Sequence, residues 1–156
     1  MFKNMNLSKL VIFISLYFIL ILTISNKVFS FYVVNGDSML PNIHDKEVKS
    51  VNKMVKKYKR GDIVIVKNNR DQYFMIKRII GLPGEKLDVI YDDVYINDKK
   101  LDEPYVNQSN EKSDFYIRNI KLKEDEYYVM GDNRNESMDS RELGPLKKSD
   151  IIGRCK

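Results

Sequence analysis

Met75-Ile76-Lys77-Arg78-Ile79-Ile80-Gly81-Leu82-Pro83-Gly84-Glu85 decides the fold. An apolar run with three isoleucines enters a Gly-x-Pro-Gly turn, the signature of a strand stopped by turn chemistry. Side chains alternate along a strand, so Lys77 falls on the face of Met75 and Ile79. If that face is buried, an ammonium is buried with it. That is costly unless the lysine is paired or gives up its proton. Read alone, the stretch also fits an edge strand with both charges in water.

The same period-two pattern, bounded by Gly, Pro, Asn and Asp, predicts strands over 31–35, 62–67, 72–80, 86–91, 94–96, 115–120, 127–131 and 151–154. Residues 46–58 fit either a helical turn or a strand around 48–51. Residues 91–123 are polar and read as a small β excursion from the main sheet, with 103–114 its loosest part. The expected fold is mainly β: an antiparallel sheet domain over 28–156 carrying a small β insertion over roughly 91–123, preceded by one N-terminal transmembrane helix.

That helix is read from Leu10 to Asn26, 17 residues without a charge, flanked by Lys9 and Lys27. At 1.5 Å per residue they span about 25 Å, adequate with lysines that snorkel. A cleaved leader is the competing reading, because Val28-Phe29-Ser30 resembles a cleavage site, but the apolar run is long for a leader. The expected organisation is a cytoplasmic tail over 1–9, an anchor over 10–27 and an extracytoplasmic domain over 28–156, with the basic N-terminal side in the cytoplasm.

Composition narrows the chemistry. With 156 residues, 43% of them hydrophobic and 31% charged, the chain suits one domain and an appendage. One cysteine, Cys155, and one histidine, His44, leave neither a disulfide framework nor a zinc site. The net charge of +5 is scattered, densest at Lys53, Lys56, Lys57, Lys59 and Arg60, without the aromatic-rich basic motif of a nucleic-acid binder. It suits an anionic membrane surface better.

Three further stretches stand out. In Gly36-Asp37-Ser38-Met39-Leu40-Pro41, Gly36 allows close backbone approach and Pro41 fixes the exit; taken alone, Ser38 reads as a turn hydroxyl. Arg60-Gly61-Asp62 opens a buried-looking strand and reads as a turn, not an adhesion motif. Gly131 to Arg141, containing Asp132, Asn133, Ser137, Asp139 and Ser140, carries more hydrogen-bonding groups than a chain reversal needs. Its spacing does not match a calcium loop. The sequons at Asn107 and Asn135 read as chance.

Ser38-Met39-Leu40-Pro41, Arg60 to Val64, Lys77 to Gly84 and Gly131 to Arg134 with Ser137, Asp139, Ser140 and Arg141 occur in one order after an apolar N-terminal segment. In this the chain resembles the bacterial type I signal peptidases, in their shorter form. The resemblance implies a membrane-anchored serine endopeptidase, free of cofactor and metal, that removes signal peptides from exported preproteins. It implies Ser38 as nucleophile, Lys77 as general base and Ser137 as the hydroxyl that orients the Lys77 amine. An Asp139–Arg141 ion pair and an Asp132–Arg78 pair would support them. Its shallow substrate pockets fall on Tyr32, Val34, Gly36, Met39, Ile43 and Ile76, with the signal peptide and the lipid bilayer as partners and no nucleic acid. Lys77 would have to lose about 3 pH units from its usual range to act near neutrality. The chain departs from the pattern at Gly36, where some members carry a hydroxyl, and at Asn42, where threonine is usual. The alternatives are another Ser-Lys peptidase and a surface-assembly factor of the same fold that binds peptides without cutting them or serves only dedicated clients.

Overall fold

The computed structural model describes residues 6–68, 73–91, 93–106 and 114–156, with Ile24 and Asn26 described by backbone only. The first five tail residues, the start of the strand expected at Gln72, most of the loop expected over 103–114 and the sequon at Asn107 lie outside the described residues.

The chain opens with helix α1, Leu7–Val28, which outruns the expected 10–27 at both ends. Lys27 in its last turn complements the negative end of the helix dipole. Its apolar side chains from Leu7 to Leu22 are open, between 37% and 73% exposed. Among the described residues no helix is long and apolar enough to cross a membrane, so the anchor expected over 10–27 is not established by the fold.

Strand β1, Phe29–Val33, follows α1 without a loop. It is succeeded by β2 (Val48–Asn52), β3 (Ile63–Lys67), β4 (Phe74–Gly81), β5 (Lys86–Ile90), β6 (Asp93–Ile96), β7 (Lys99–Lys100), β8 (Tyr116–Lys121), β9 (Glu126–Met130), the short helix α2 (Ser140–Leu143), β10 (Leu146–Lys147) and β11 (Ile151–Cys155). The ambiguous stretch around 48–51 is thus a strand. β7, β10 and α2 are additions to the expected elements. The described residues form two antiparallel sheets: seven strands in the order β1-β2-β11-β3-β4-β9-β10, and four in the order β7-β6-β5-β8. The second sheet corresponds to the expected excursion but begins at Lys86, ahead of Tyr91, because β5 pairs with β6 and β8 and not with the main sheet.

The large sheet is curled. β1 and β4 are four steps apart in strand order, about 19 Å in a flat sheet at ~4.8 Å per step, yet the Tyr32 ring on β1 meets the Phe74 ring on β4 edge-on at 5.6 Å. Curling brings the β1 edge over the start of β4 and opens a cleft between them. Beneath it lies a core cluster of Val34, Met39, Ile43, Val51, Ile65 and Ile76. A second cluster joins Val64, Val66, Met75, Ile79 and Val129. A third fills the small sheet with Ile80, Leu87, Val89, Val94, Tyr128 and Met130.

Candidate active site

β4 is buried over nearly its whole length, which rules out the solvated-edge alternative. Lys77 stands opposite Val64 on β3, between Met75 and Ile79, and is only 4% exposed. Loss of hydration is the main force on its amine. Asp139 works against that loss and Arg141 reinforces it, and burial prevails, drawing the amine down to about 8. Its Nζ donates to Ser38 Oγ at 2.7 Å.

Ser38 sits on the turn that leaves β1, half-buried, with its N–H unpaired among the described residues. The turn is compact: Leu40 N–H donates to Asp37 O at 3.1 Å, and Asn42 and Ile43 N–H both donate to Met39 O at 3.0 Å. Gly36 adopts φ +92°, the left-handed region glycine favours, and its N–H donates to Asp45 Oδ1 at 2.8 Å. Nothing lies within 4 Å of where a Cβ would stand. The glycine therefore serves the turn's backbone, and no described residue crowds it.

The loop after β9 supplies the polar surroundings. Asp139 is fully buried and its carboxylate accepts from Gly131 N–H (2.9 Å), Ser137 Oγ (2.7 Å), Arg141 N–H (3.1 Å), Arg141 Nε (2.9 Å) and Arg141 Nη2 (2.9 Å). The Ser137 proton thus goes to Asp139. Among the described residues no hydrogen bond joins Ser137 to Lys77, so direct orientation of the amine by this hydroxyl is not seen. Gly131 separates the two serines so tightly that a Cβ there would collide with the Ser137 side chain and stand 2.5 Å from Ser38 O. The expected Asp132–Arg78 pair is present: Arg78 Nε donates to Oδ1 at 2.7 Å and Nη2 to Oδ2 at 2.5 Å. Arg134 and Glu103 form a second buried pair, linking the small sheet's neighbourhood to this loop at 2.7 Å.

A cleft of about 390 Å³ opens beside the Ser38–Lys77 contact. Tyr32, Val34 and Ile76 line it as expected, joined by Asn35, Ile65, Tyr73, Phe74, Met75 and Met138. Met39 and Ile43, expected in the pockets, are 0% and 1% exposed and belong to the core beneath. Tyr73 and Met138 close one wall, the tyrosine hydroxyl donating to Met138 Sδ at 3.0 Å. The sequence signal for Met138 was its position between two loop residues of the polar run. Two backbone edges flank the cleft. β1 is the last strand of its sheet, and β9 pairs with β4 only from Arg78 onward, leaving Phe74–Lys77 with one side unladdered. Among the described residues no group of acidic, histidine and cysteine side chains has a metal-binding arrangement.

The chain is 44% identical to signal peptidase I S of Bacillus subtilis (strain 168), over 88% of this chain and 80% of the relative. It is 44% identical, with the same coverage of each chain, to a signal peptidase I of Bacillus amyloliquefaciens. Among solved structures it resembles a signal peptidase I of Enterococcus faecalis V583 at 32% identity and a TM-score of 0.55, over 65% of this chain and 99% of that one. The family model described as signal peptidase, peptidase S26, matches residues 7–156, and the chain belongs to that family.

Proposed function

We propose that this chain is a serine endopeptidase that cleaves signal peptides from exported preproteins, with Ser38 as nucleophile and Lys77 as general base. The contact that carries the reading is the 2.7 Å approach of Lys77 Nζ to Ser38 Oγ, made by an amine drawn down to about 8. At pH 7 such an amine is neutral about one time in ten, against a few times in ten thousand for an ordinary lysine. The neutral amine takes the hydroxyl proton as Ser38 attacks the scissile carbonyl. The unpaired Ser38 N–H helps hold the oxyanion, and the protonated amine hands its proton to the leaving nitrogen. Water, deprotonated by the same amine, then releases the acyl group.

The peptide lies extended between the β1 edge and the open side of Phe74–Lys77, exchanging main-chain hydrogen bonds with both. Alternate side chains then drop toward Val34, Ile65 and Ile76, where the limited depth favours small residues one and three positions before the cut. Asp132–Arg78 and Asp139–Arg141 hold the two catalytic elements from behind, and Ser137 acts through Asp139.

α1 serves as the anchor in this reading, with the tail cytoplasmic and the domain beyond Val28 extracytoplasmic. Its 22 residues extend about 33 Å, its apolar side chains are exposed, and its segment from Leu7 to Val28 holds no acidic residue.

The test is cleavage of a preprotein bearing an Ala-x-Ala site by the full chain in detergent. Wild type cuts after the second alanine, and Ser38→Ala and Lys77→Ala do not. Equal cleavage by all three would sink the mechanism.

A further inference from the structure

We infer that Asp132-Asn133, together with Asn42, sets the spacing between Ser38 and Lys77, so that Asn133 and Asn42 are positioning residues; this rests on the assignment of Ser38 and Lys77 above. Nucleophile and base come from parts of the chain that share no strand ladder, the turn after β1 and the middle of β4. Something else must hold them 2.7 Å apart.

The loop after β9 does so with two adjacent residues. Asn133 N–H donates to the carbonyl of Ser38 itself at 3.0 Å, and Asn133 Nδ2 donates to Asp37 O at 3.1 Å. Asp132, one residue earlier, grips Arg78 through both carboxylate oxygens, and Arg78 is the next residue after Lys77 on β4. One planar peptide unit, with its ~3.8 Å Cα separation, therefore spans from the nucleophile's backbone to the base-bearing strand.

Asn42 closes the arrangement from the far end of the turn. Its Nδ2 donates to Asp132 Oδ2 at 2.9 Å and to Tyr105 O at 2.7 Å. The turn is thus pinned at both ends to the same pair of residues, and tied to the segment that leads out of the small sheet. A threonine hydroxyl in place of Asn42 has one proton to donate, and satisfies one of the two acceptors at a time. The departure from threonine noted in the sequence thereby acquires a role. Neither asparagine lines the cleft, so their effect falls on alignment, to which rate is steep: ~1 Å of misplacement costs on the order of 100-fold.

The experiment compares wild type, Ser38→Ala, Asn42→Ala, Asn42→Thr and Asn133→Ala as full chains in detergent on one preprotein, recording kcat, KM, the pH profile of kcat and the melting temperature. Asn42→Ala and Asn133→Ala are expected to lower kcat about tenfold or more, with KM within about twofold and the midpoint of the acid limb unmoved, since no charge has changed. Asn42→Thr is expected to recover part of the loss. Wild-type kcat in both alanine variants overturns the inference. So does a fall in kcat matched by a rise in KM and a lower melting temperature, which marks a merely structural role. Cleavage by Ser38→Ala instead sinks the underlying assignment, whereas an inert Ser38→Ala beside unaffected asparagine variants sinks the positioning role alone.

Discussion

Replacing Lys77 by methionine should abolish cleavage and yet make the protein more stable, by an amount that depends on pH. The side chain is 4% exposed, and its amine is drawn from the ordinary 10.5 to about 8 chiefly by burial. A folded-state value below the unfolded one means that the unfolded chain holds this proton more tightly. The resulting destabilisation is complete below about pH 8 and vanishes as pH rises past the unfolded value near 10.5. A gap of about 2.5 pH units is worth about 3 kcal/mol at pH 7, about 2 at pH 9 and under about 1 at pH 10. Methionine has similar length and no charge, so Lys77→Met removes this contribution without opening a cavity. The assay is urea unfolding of wild type and variant in one detergent, followed by far-ultraviolet circular dichroism at pH 7, 9 and 10. The stability advantage of the variant should shrink across that series. A gap that stays constant over the three pH values, or a variant less stable than wild type at pH 7, would refute the claim that burial of the ammonium tunes this base.

Three other outcomes follow from the same geometry. The pH profile of kcat/KM should climb about tenfold per unit on the acid side and level off above about pH 8, the value to which Lys77 is drawn, because only the neutral amine is a base; a midpoint near 6.5 would point to a different group. Gly131→Ala forces a Cβ into the Ser137 side chain and within 2.5 Å of Ser38 O, so it should cost about 1–3 kcal/mol of unfolding free energy and most of the cleavage activity; wild-type values of both would show that the loop has slack. Gly36→Ser has room for its side chain but strains a backbone at φ +92°, so it should lower stability by roughly 1 kcal/mol and give no gain in cleavage rate; a faster enzyme would mean that the new hydroxyl reaches the oxyanion.

Much of the sheet was legible because short runs rich in β-branched and aromatic residues stand between turn formers, as in the runs that became β3, β4 and β9. The stretch that became β2 was ambiguous. Val48-Lys49-Ser50-Val51-Asn52 carries only two strong strand formers, and its pairing with β1 and β11 decides the matter. β7 and β10, two residues each, exist through their partners and have no local signal. At the site, chain order announced the residue types and left their wiring open. Ser38 and Lys77 do meet across 39 positions of sequence. That Ser137 gives its proton to Asp139, and that Met39 and Ile43 turn inward, depends on how the turn is rolled against the sheet. The wall made by Tyr73, Phe74 and Met138 arises from curling, which no period of two reports.

The five hydrogen bonds that saturate the Asp139 carboxylate bear on how charge moves during turnover. Asp139 is cancelled by Arg141 and Asp132 by Arg78, so each acid beside Lys77 is already committed to its own cation. Among the described residues the amine has no counter-ion of its own, and it gives up its proton far more readily than an ordinary lysine. When it takes the Ser38 proton, the one new positive charge arises beside the one new negative charge on the substrate oxygen. The pair forms and collapses inside a wall of neutral dipoles, so the surrounding protein need not rearrange its own charges at any step of the cycle.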